Sequence, residues 1–303
     1  MLNDKMQQDY SEGKIKLGGC SIISGESQVN RYCKDCEFKL KSIHQNTPRK
    51  ISGFNRCWIK DGRLRKDELS SPKTYNIFNS GFAKKVMTED GIVLAKNLSE
   101  NHIYKPSKNN QLGFSIHDRQ ALQLEDIKSS KIRKEFNEEA LTSYWDRMKF
   151  PLNMIDFETC TTAIPFTKGM RPYETIAFQF SHHVVYEDGR VEHANQWICT
   201  DPHKFPNFDF VRALKDALGK NEGSIFRFHN HENTVLNEIK QQLTRSQEND
   251  KDILISFIEE ITSYEIAEGK AKGSRCMIDL HRLINDCYYN THFAHSLSLK
   301  VVL

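Results

Sequence analysis

No stretch of this 303-residue chain approaches the roughly 20 consecutive apolar residues that a membrane-spanning helix needs. The N-terminus, MLNDKMQQDYSEGK, lacks the apolar core of a secretory signal. Cysteine is sparse: eight residues, scattered from Cys20 to Cys287, are too few for a disulfide scaffold. Internal repeats and low-complexity tracts are absent, and so is any histidine pair with the H-E-x-x-H spacing of a zinc hydrolase. These absences exclude a helical membrane protein and a secreted disulfide-stapled module. They predict a soluble, cytoplasmic protein with no membrane partner. Hydrophobic residues make up 38% of the chain, and a mean hydropathy of −0.63 is polar for a compact enzyme, so part of the length is expected to be loop or linker.

The length allows about two domains. The net charge is only +3, but residues 31–66 hold eleven Lys and Arg against three Asp and Glu. A basic segment beside an acidic body suits a polyanion such as nucleic acid, although such asymmetry also occurs without one. Residues 1–30 are polar and predict a loose tail. Residues 31–70 form a cysteine-rich basic segment, and residues 71–150 a connector with a helix. The helix is expected across SIHDRQALQLEDIKSSKIRKEFNEEALTSYWDRM, where Ala121, Leu122, Leu124 and Ile127 have helical spacing. Pro151 marks a boundary, and residues 151–303 form the last domain.

From Pro151 onward the pattern becomes that of an α/β domain. LNMIDFE reads as a short strand. TIAFQFSHHVVYEDG alternates and ends in a turn at Asp188–Gly189, with RVEHANQWICT as its antiparallel partner. FDFVRALKDALG is an amphipathic helix stopped at Gly219. GSIFRFHN is a strand followed by the helix HENTVLNEIKQQL, then the helix KDILISFIEEITS, then a short strand turning into a helix in CMIDLHRLINDCYYN. Strand–hairpin units followed by strand–helix alternation predict a mixed sheet flanked by helices.

Two acids, Asp156 and Glu158 in MIDFETC, share one side of the first strand because alternate residues point the same way. Glu232 follows at a later strand-to-helix turn, and Asp279 lies in MIDL. Strand-end carboxylates that converge at one sheet edge suit Mg²⁺ or Mn²⁺, and two such ions can clamp a phosphodiester. Each acid also has an ordinary explanation. Asp156 and Glu158 could be solvated, Glu232 could favour the dipole of its helix, and Asp279 could cap the helix that follows. Asn230 is a candidate N-cap, and His229 beside it suits an orienting or structural role.

A second constellation is YCKDCEF…SGFNRCW, with Cys33, Cys36 and Cys57 near Lys and Arg. Three thiols suit zinc or an iron–sulphur cluster, with Cys20, His44 or an external group as fourth ligand. They could equally be incidental loop cysteines. Cys160, Cys199, Cys276 and Cys287 fit small buried hydrophobes.

MIDFET, RPYETIAFQFSHHV, FRFHNHENTVLNEI and MIDLHRLINDCYYN…HSLSLKVVL together resemble the bacterial domain of unknown function DUF2779. That domain is similar to the DEDD-type 3′–5′ exonucleases, which have a ribonuclease-H-like fold and use two metal ions. The resemblance implies that Asp156 and Glu158 are the first motif. Glu232 stands where the second motif usually has Asp. The last metal-binding acid of such enzymes is expected beyond SLSLKVVL, so two-metal catalysis in this chain is expected to be incomplete. The cysteine segment and the sequence after it resemble the end of a RecB-type nuclease domain, in which three late cysteines join an early one around an iron–sulphur cluster. The resemblance therefore implies a chain cut at both ends, with an N-terminal nuclease domain, or a partner supplying it, missing.

Two readings follow. The first is a metal-dependent nuclease of the exonuclease type, in which Asp156, Glu158 and Glu232 hold Mg²⁺ or Mn²⁺. The second is a nucleic-acid-binding module with a cysteine-ligated site, built on a degenerate nuclease scaffold.

Overall fold

The computed structural model describes residues 22–23, 26–27, 29, 31–40, 52–106, 112–293 and 295–302. Cys20 and His44, and most of the expected tail, lie outside the described residues. The chain divides into two compact units: Met1–Asn137 together with Asp286–Leu303, and Glu138–Asn285. The division thus falls before Pro151, and the end of the chain returns to the first unit.

In the first unit, a short hairpin joins β1 (Ile22–Ile23) to β2 (Glu26–Ser27). Helix α1 (Gly53–Lys60) starts at Ser52, whose hydroxyl accepts from the N–H of Asn55, and it buries Phe54 and Trp58. Helix α2 (Ala83–Thr88) follows. Helix α3 (Ile116–Ser129) begins with a reciprocal capping box between Ser115 and Asp118. Strand β3 (Lys134–Phe136) pairs antiparallel with a late strand, Tyr288–Asn290. Phe54, Trp58, Tyr75 and Met87 belong to one apolar cluster, and Ile77, Leu98 and Leu124 to another.

The single helix expected across residues 115–148 is two helices. Helix α3 stops where Ser130 adopts the left-handed conformation, φ 54°, and helix α4 (Glu138–Trp145) starts beyond β3. The cause is tertiary. Buried Asp126 accepts from Arg133 (3.0 Å), the Tyr289 hydroxyl (2.9 Å) and the Thr291 hydroxyl (2.7 Å). That network draws residues 134–136 into strand pairing, against the helical spacing of their neighbours.

In the second unit, the elements after α4 are β4 (Leu152–Thr161), β5 (Thr175–Val185), β6 (Val191–Ile198), α5 (Asn207–Leu218), β7 (Ile225–Arg227), α6 (His231–Thr244) and α7 (Lys251–Ile261). A hairpin of β8 (Ser263–Ile266) and β9 (Gly269–Lys272) precedes β10 (Ile278–Asp279) and α8 (Leu280–Cys287). The fold is α/β, as the sequence predicts: a five-stranded mixed sheet, ordered β10-β7-β4-β5-β6, flanked by helices. Strands β4, β5 and β6 form an antiparallel meander, while β7 and β10 run parallel to β4 and β7 respectively.

Helices α5, α6 and α7 pack into one core with the sheet. Its centre is Phe210, whose ring meets Phe157, Phe180 and Trp197 edge-on at 4.8, 5.5 and 5.9 Å. Ile155 and Phe157 face this core, so strand alternation puts Asp156 and Glu158 on the opposite side, where both are exposed. The β8–β9 hairpin has no counterpart in the expected element order, because four-residue strands leave too short an alternation to read.

Candidate functional site

Acids from the middle of β4, from the first turn of α6 after β7 and from β10 come near one another. The parallel register sets Arg227 opposite Asp279, and Arg227 Nη1 lies 3.3 Å from Asp279 Oδ2. Asp279 Oδ1 accepts backbone N–H bonds from His229 (3.0 Å), His281 (3.0 Å) and Arg282 (3.4 Å). Asp279 therefore caps α8 and pins the β7–α6 turn at once. That turn passes through His229 in the left-handed region, φ 67°, and the His229 and His281 rings stand edge-to-face at 4.8 Å. Asn230 precedes α6, but its side chain does not cap the helix. Its amide donates to Thr234 Oγ1 instead, at 3.0 Å.

Glu232, in the first turn of α6, is only 2% exposed, and its Oε2 has no hydrogen-bond partner among the described residues. Burial pushes its carboxyl up to about 7, and the negative charges of Asp156 and Asp279 push the same way. A backbone hydrogen bond and the Arg227 guanidinium oppose them. Asp156, Glu232 and Asp279 thus feel one another, with Arg227 as the counter-charge. Glu158 stands two residues further along β4, exposed, beside a bulge where the register with β5 shifts between Glu158 and Thr159. Bulges of this kind re-aim side chains next to functional sites. His231 Nε2 lies 3.2 Å from Thr159 Oγ1, fixing α6 to the same strand end.

The donor chemistry suits a hard divalent cation: carboxylate oxygens, one of them buried and unpartnered, with a net negative balance around Arg227. Among the described residues, however, no three His, Cys, Asp or Glu side chains stand close enough together to hold a metal ion. Asp156 and Glu158 on the central strand and Glu232 on α6 do not form a closed ligand shell.

The cysteines lie in the first unit. Cys33 is buried, and half-buried Cys36 and Cys57 pack on the same cluster around Trp58. The Tyr75 phenol is raised, mainly by burial and then by neighbouring Cys33 and Cys36. Beside them sits a cation that sequence reasoning missed. Buried Lys73 sits 5.4 Å from the Trp58 ring centroid and donates to the carbonyls of Glu68, Leu69 and Ser71 at 3.3, 2.9 and 2.6 Å. Burial, and then Lys39, lower it to about 8. Of the four cysteines expected to be buried, Cys287 is buried, while Cys160, Cys199 and Cys276 are partly exposed.

Residues 153–298 match the family model described as Domain of unknown function (DUF2779). The matched span holds the whole five-stranded sheet except the first residue of β4, and with it Asp156, Glu158, Arg227, Glu232 and Asp279. No curated protein and no solved structure matches the chain. No helix among the described residues is long and apolar enough to cross a membrane. Arg227 is the site residue least visible in the sequence, since its role depends on a register between residues 52 positions apart.

Proposed function

We propose that the DUF2779 region is a metal-dependent nuclease that hydrolyses phosphodiesters of DNA or RNA in the manner of 3′–5′ exonucleases. The observation that carries this reading is the buried, unpartnered Oε2 of Glu232, a carboxyl that feels the charges of Asp156 and Asp279. A buried carboxylate without a partner is costly unless a cation joins it. The sheet order also supports the reading, because a meander extended on one side by two parallel strands is a ribonuclease-H-like arrangement.

In this mechanism Asp156 and Glu232 would hold the cation, with Glu158 beside them as a further carboxylate. Bound Mg²⁺ or Mn²⁺ would supply Lewis-acid polarisation of the phosphate. Arg227 keeps Asp279 engaged, so Asp279 shapes the site without being a free ligand. The expected result is Mg²⁺- or Mn²⁺-dependent degradation of labelled single-stranded DNA or RNA that Asp156→Ala abolishes. Equal activity in both proteins, or none in the wild type with either metal, would reject the reading.

A second reading has its own support in the first unit. Cys33, Cys36 and Cys57 all pack on the apolar cluster around Trp58, and the basic stretch around them exposes Tyr32 and Phe38. In this reading the segment binds nucleic acid, and Cys33, Cys36 and Cys57 hold zinc or an iron–sulphur cluster with a fourth ligand. Metal analysis combined with an absorption spectrum separates zinc, iron–sulphur and neither.

A further inference from the structure

Two histidines face each other on the side of the sheet that carries Asp156 and Glu158. His183 of β5 and His193 of β6 are register partners. Their ring centroids are 4.6 Å apart, and the ring planes are only 14° from parallel. On its other side His183 is opposite Met154 of β4, one row from Asp156, whose partner is Ser181. Both histidines are exposed. Neither ring makes a hydrogen bond or an ion pair with a described residue, so no described group occupies their nitrogens.

One extra residue produces the pairing. Asn195 is opposite His182, and the next pair is His183 with His193, so Ala194 is left without a partner. In an unbroken ladder Ala194 would stand opposite His183, and His193 opposite buried Val184. A bulge interrupts the ladder, and bulges are common where a side chain is re-aimed beside a functional site. The side chain re-aimed here is His193, which moves from the row of Val184 to the row of His183.

The spacing suits chelation. With metal–nitrogen bonds of about 2.0–2.1 Å, two imidazoles at a tetrahedral angle on one ion have centroids about 5 Å apart. The observed 4.6 Å is close to that value, so the strands are already correctly spaced. Rotation of each ring about its Cβ–Cγ bond is the remaining step. Imidazole nitrogen suits nickel, copper and zinc, whereas the carboxylates one row away suit magnesium and manganese. Among the described residues no third His, Cys, Asp or Glu joins the two rings, which leaves the other coordination positions to water.

We infer that His183 and His193 chelate one late first-row transition ion, of the Ni²⁺, Cu²⁺ or Zn²⁺ class, at a site separate from Asp156 and Glu232. The inference does not depend on the nuclease reading.

The test is equilibrium dialysis of the full, untagged chain against Ni²⁺. His183→Phe and His193→Phe each keep an aromatic ring in the pair and remove its nitrogens. His203→Phe removes another exposed histidine, outside the pair. Thermal melts confirm folding. The cysteines are present in every variant, so differences between variants isolate the pair. Losing one of two linked donors should weaken Ni²⁺ at this site about a hundredfold. Each single variant of the pair should therefore bind one ion fewer than the wild type, and the double variant should lose no more. His203→Phe should match the wild type. In the wild type, Ni²⁺ should broaden the ring resonances of His183 and His193 before those of other histidines.

Equal Ni²⁺ binding by the wild type and both variants of the pair overturns the inference and leaves the rings a cross-strand stack. So does displacement of the ion by equimolar Mg²⁺, which would mark oxygen ligands. Asp156→Ala should bind Ni²⁺ as the wild type does, and loss of the ion there would assign it to the acids and overturn the inference. Failure to degrade nucleic acid with Ni²⁺ binding intact would reject the nuclease reading alone.

Discussion

Glu232→Gln should make the protein more stable above neutral pH. The Glu232 carboxyl is raised from 4.5 to about 7 by burial and by Asp156 and Asp279. Between those values the folded chain holds a proton that the unfolded chain has released, so stability falls as pH rises through the window. At about 1.4 kcal/mol per unit, the ionised carboxylate forfeits about 3 kcal/mol above pH 7. His182 acts with the opposite sign. It is 1% exposed, bonded to Asn153 (2.9 Å) and Asn195 (3.3 Å), and lowered from 6.5 to about 4, chiefly by burial. There the unfolded chain holds the extra proton, so stability is lost as pH falls from 6.5 towards 4.

The two windows overlap between pH 4.5 and 6.5, and their slopes cancel there in the wild type. Glu232→Gln removes one of them. The variant should match the wild type near pH 4.5, gain stability steadily up to pH 6.5, and exceed the wild type by about 3 kcal/mol above pH 7. Amide hydrogen exchange of α6 and β5, followed across this range, reads the second unit directly. A variant no more stable than the wild type above pH 7, or a gap that does not close towards pH 4.5, would refute the reasoning. It would mean that Glu232 is solvated or already compensated.

Mn²⁺ should stabilise the wild type above pH 7 and stabilise Glu232→Gln much less, as read by the shift in melting temperature with metal concentration. Arg227→Gln removes the counter-charge of Asp279 and should destabilise by about 3 kcal/mol; urea titration should also show a steeper loss with rising pH than in the wild type. Gly223→Ala places a Cβ 1.7 Å from the Pro151 carbonyl oxygen, so the variant should unfold at lower urea or fail to accumulate as soluble protein. Phe210→Ala empties the point where three aromatic rings meet and should cost about 3–5 kcal/mol in the same titration.

The central meander was legible because its signals are local. Alternation over β5 and the turn residues Asp188 and Gly189, the latter at φ 83°, specify a hairpin without reference to the rest of the chain. The break between α3 and α4 was not legible, because the partners that decide it, Tyr289 and Thr291, lie more than 160 residues from Asp126. Asp279 was visible as a helix cap, and it is one. Its pairing with Arg227 required the parallel register of β7 and β10, and β10 is two residues long. The facing of His183 and His193 depends on the extra residue Ala194 in β6, whereas unbroken alternation would put Ala194 opposite His183.

The acids themselves show what a motif leaves out. D-x-E placed Asp156 and Glu158 together on one side of β4, yet both are exposed, and exposure alone makes neither of them unusual. Asp279 accepts three N–H groups and an ion pair, so its charge is already answered. Glu232 has one backbone hydrogen bond and feels Arg227, but its buried Oε2 is left without a donor, a stored demand for a cation or a proton. Below pH 7 the proton meets it, and above pH 7 no hydrogen-bond donor among the described residues reaches Oε2. The case for a cation at these acids therefore rests on Glu232, the acid whose identity departs from the expected Asp. The longer Glu side chain starts from a helix turn, and there it is buried at the strand end rather than exposed on the strand.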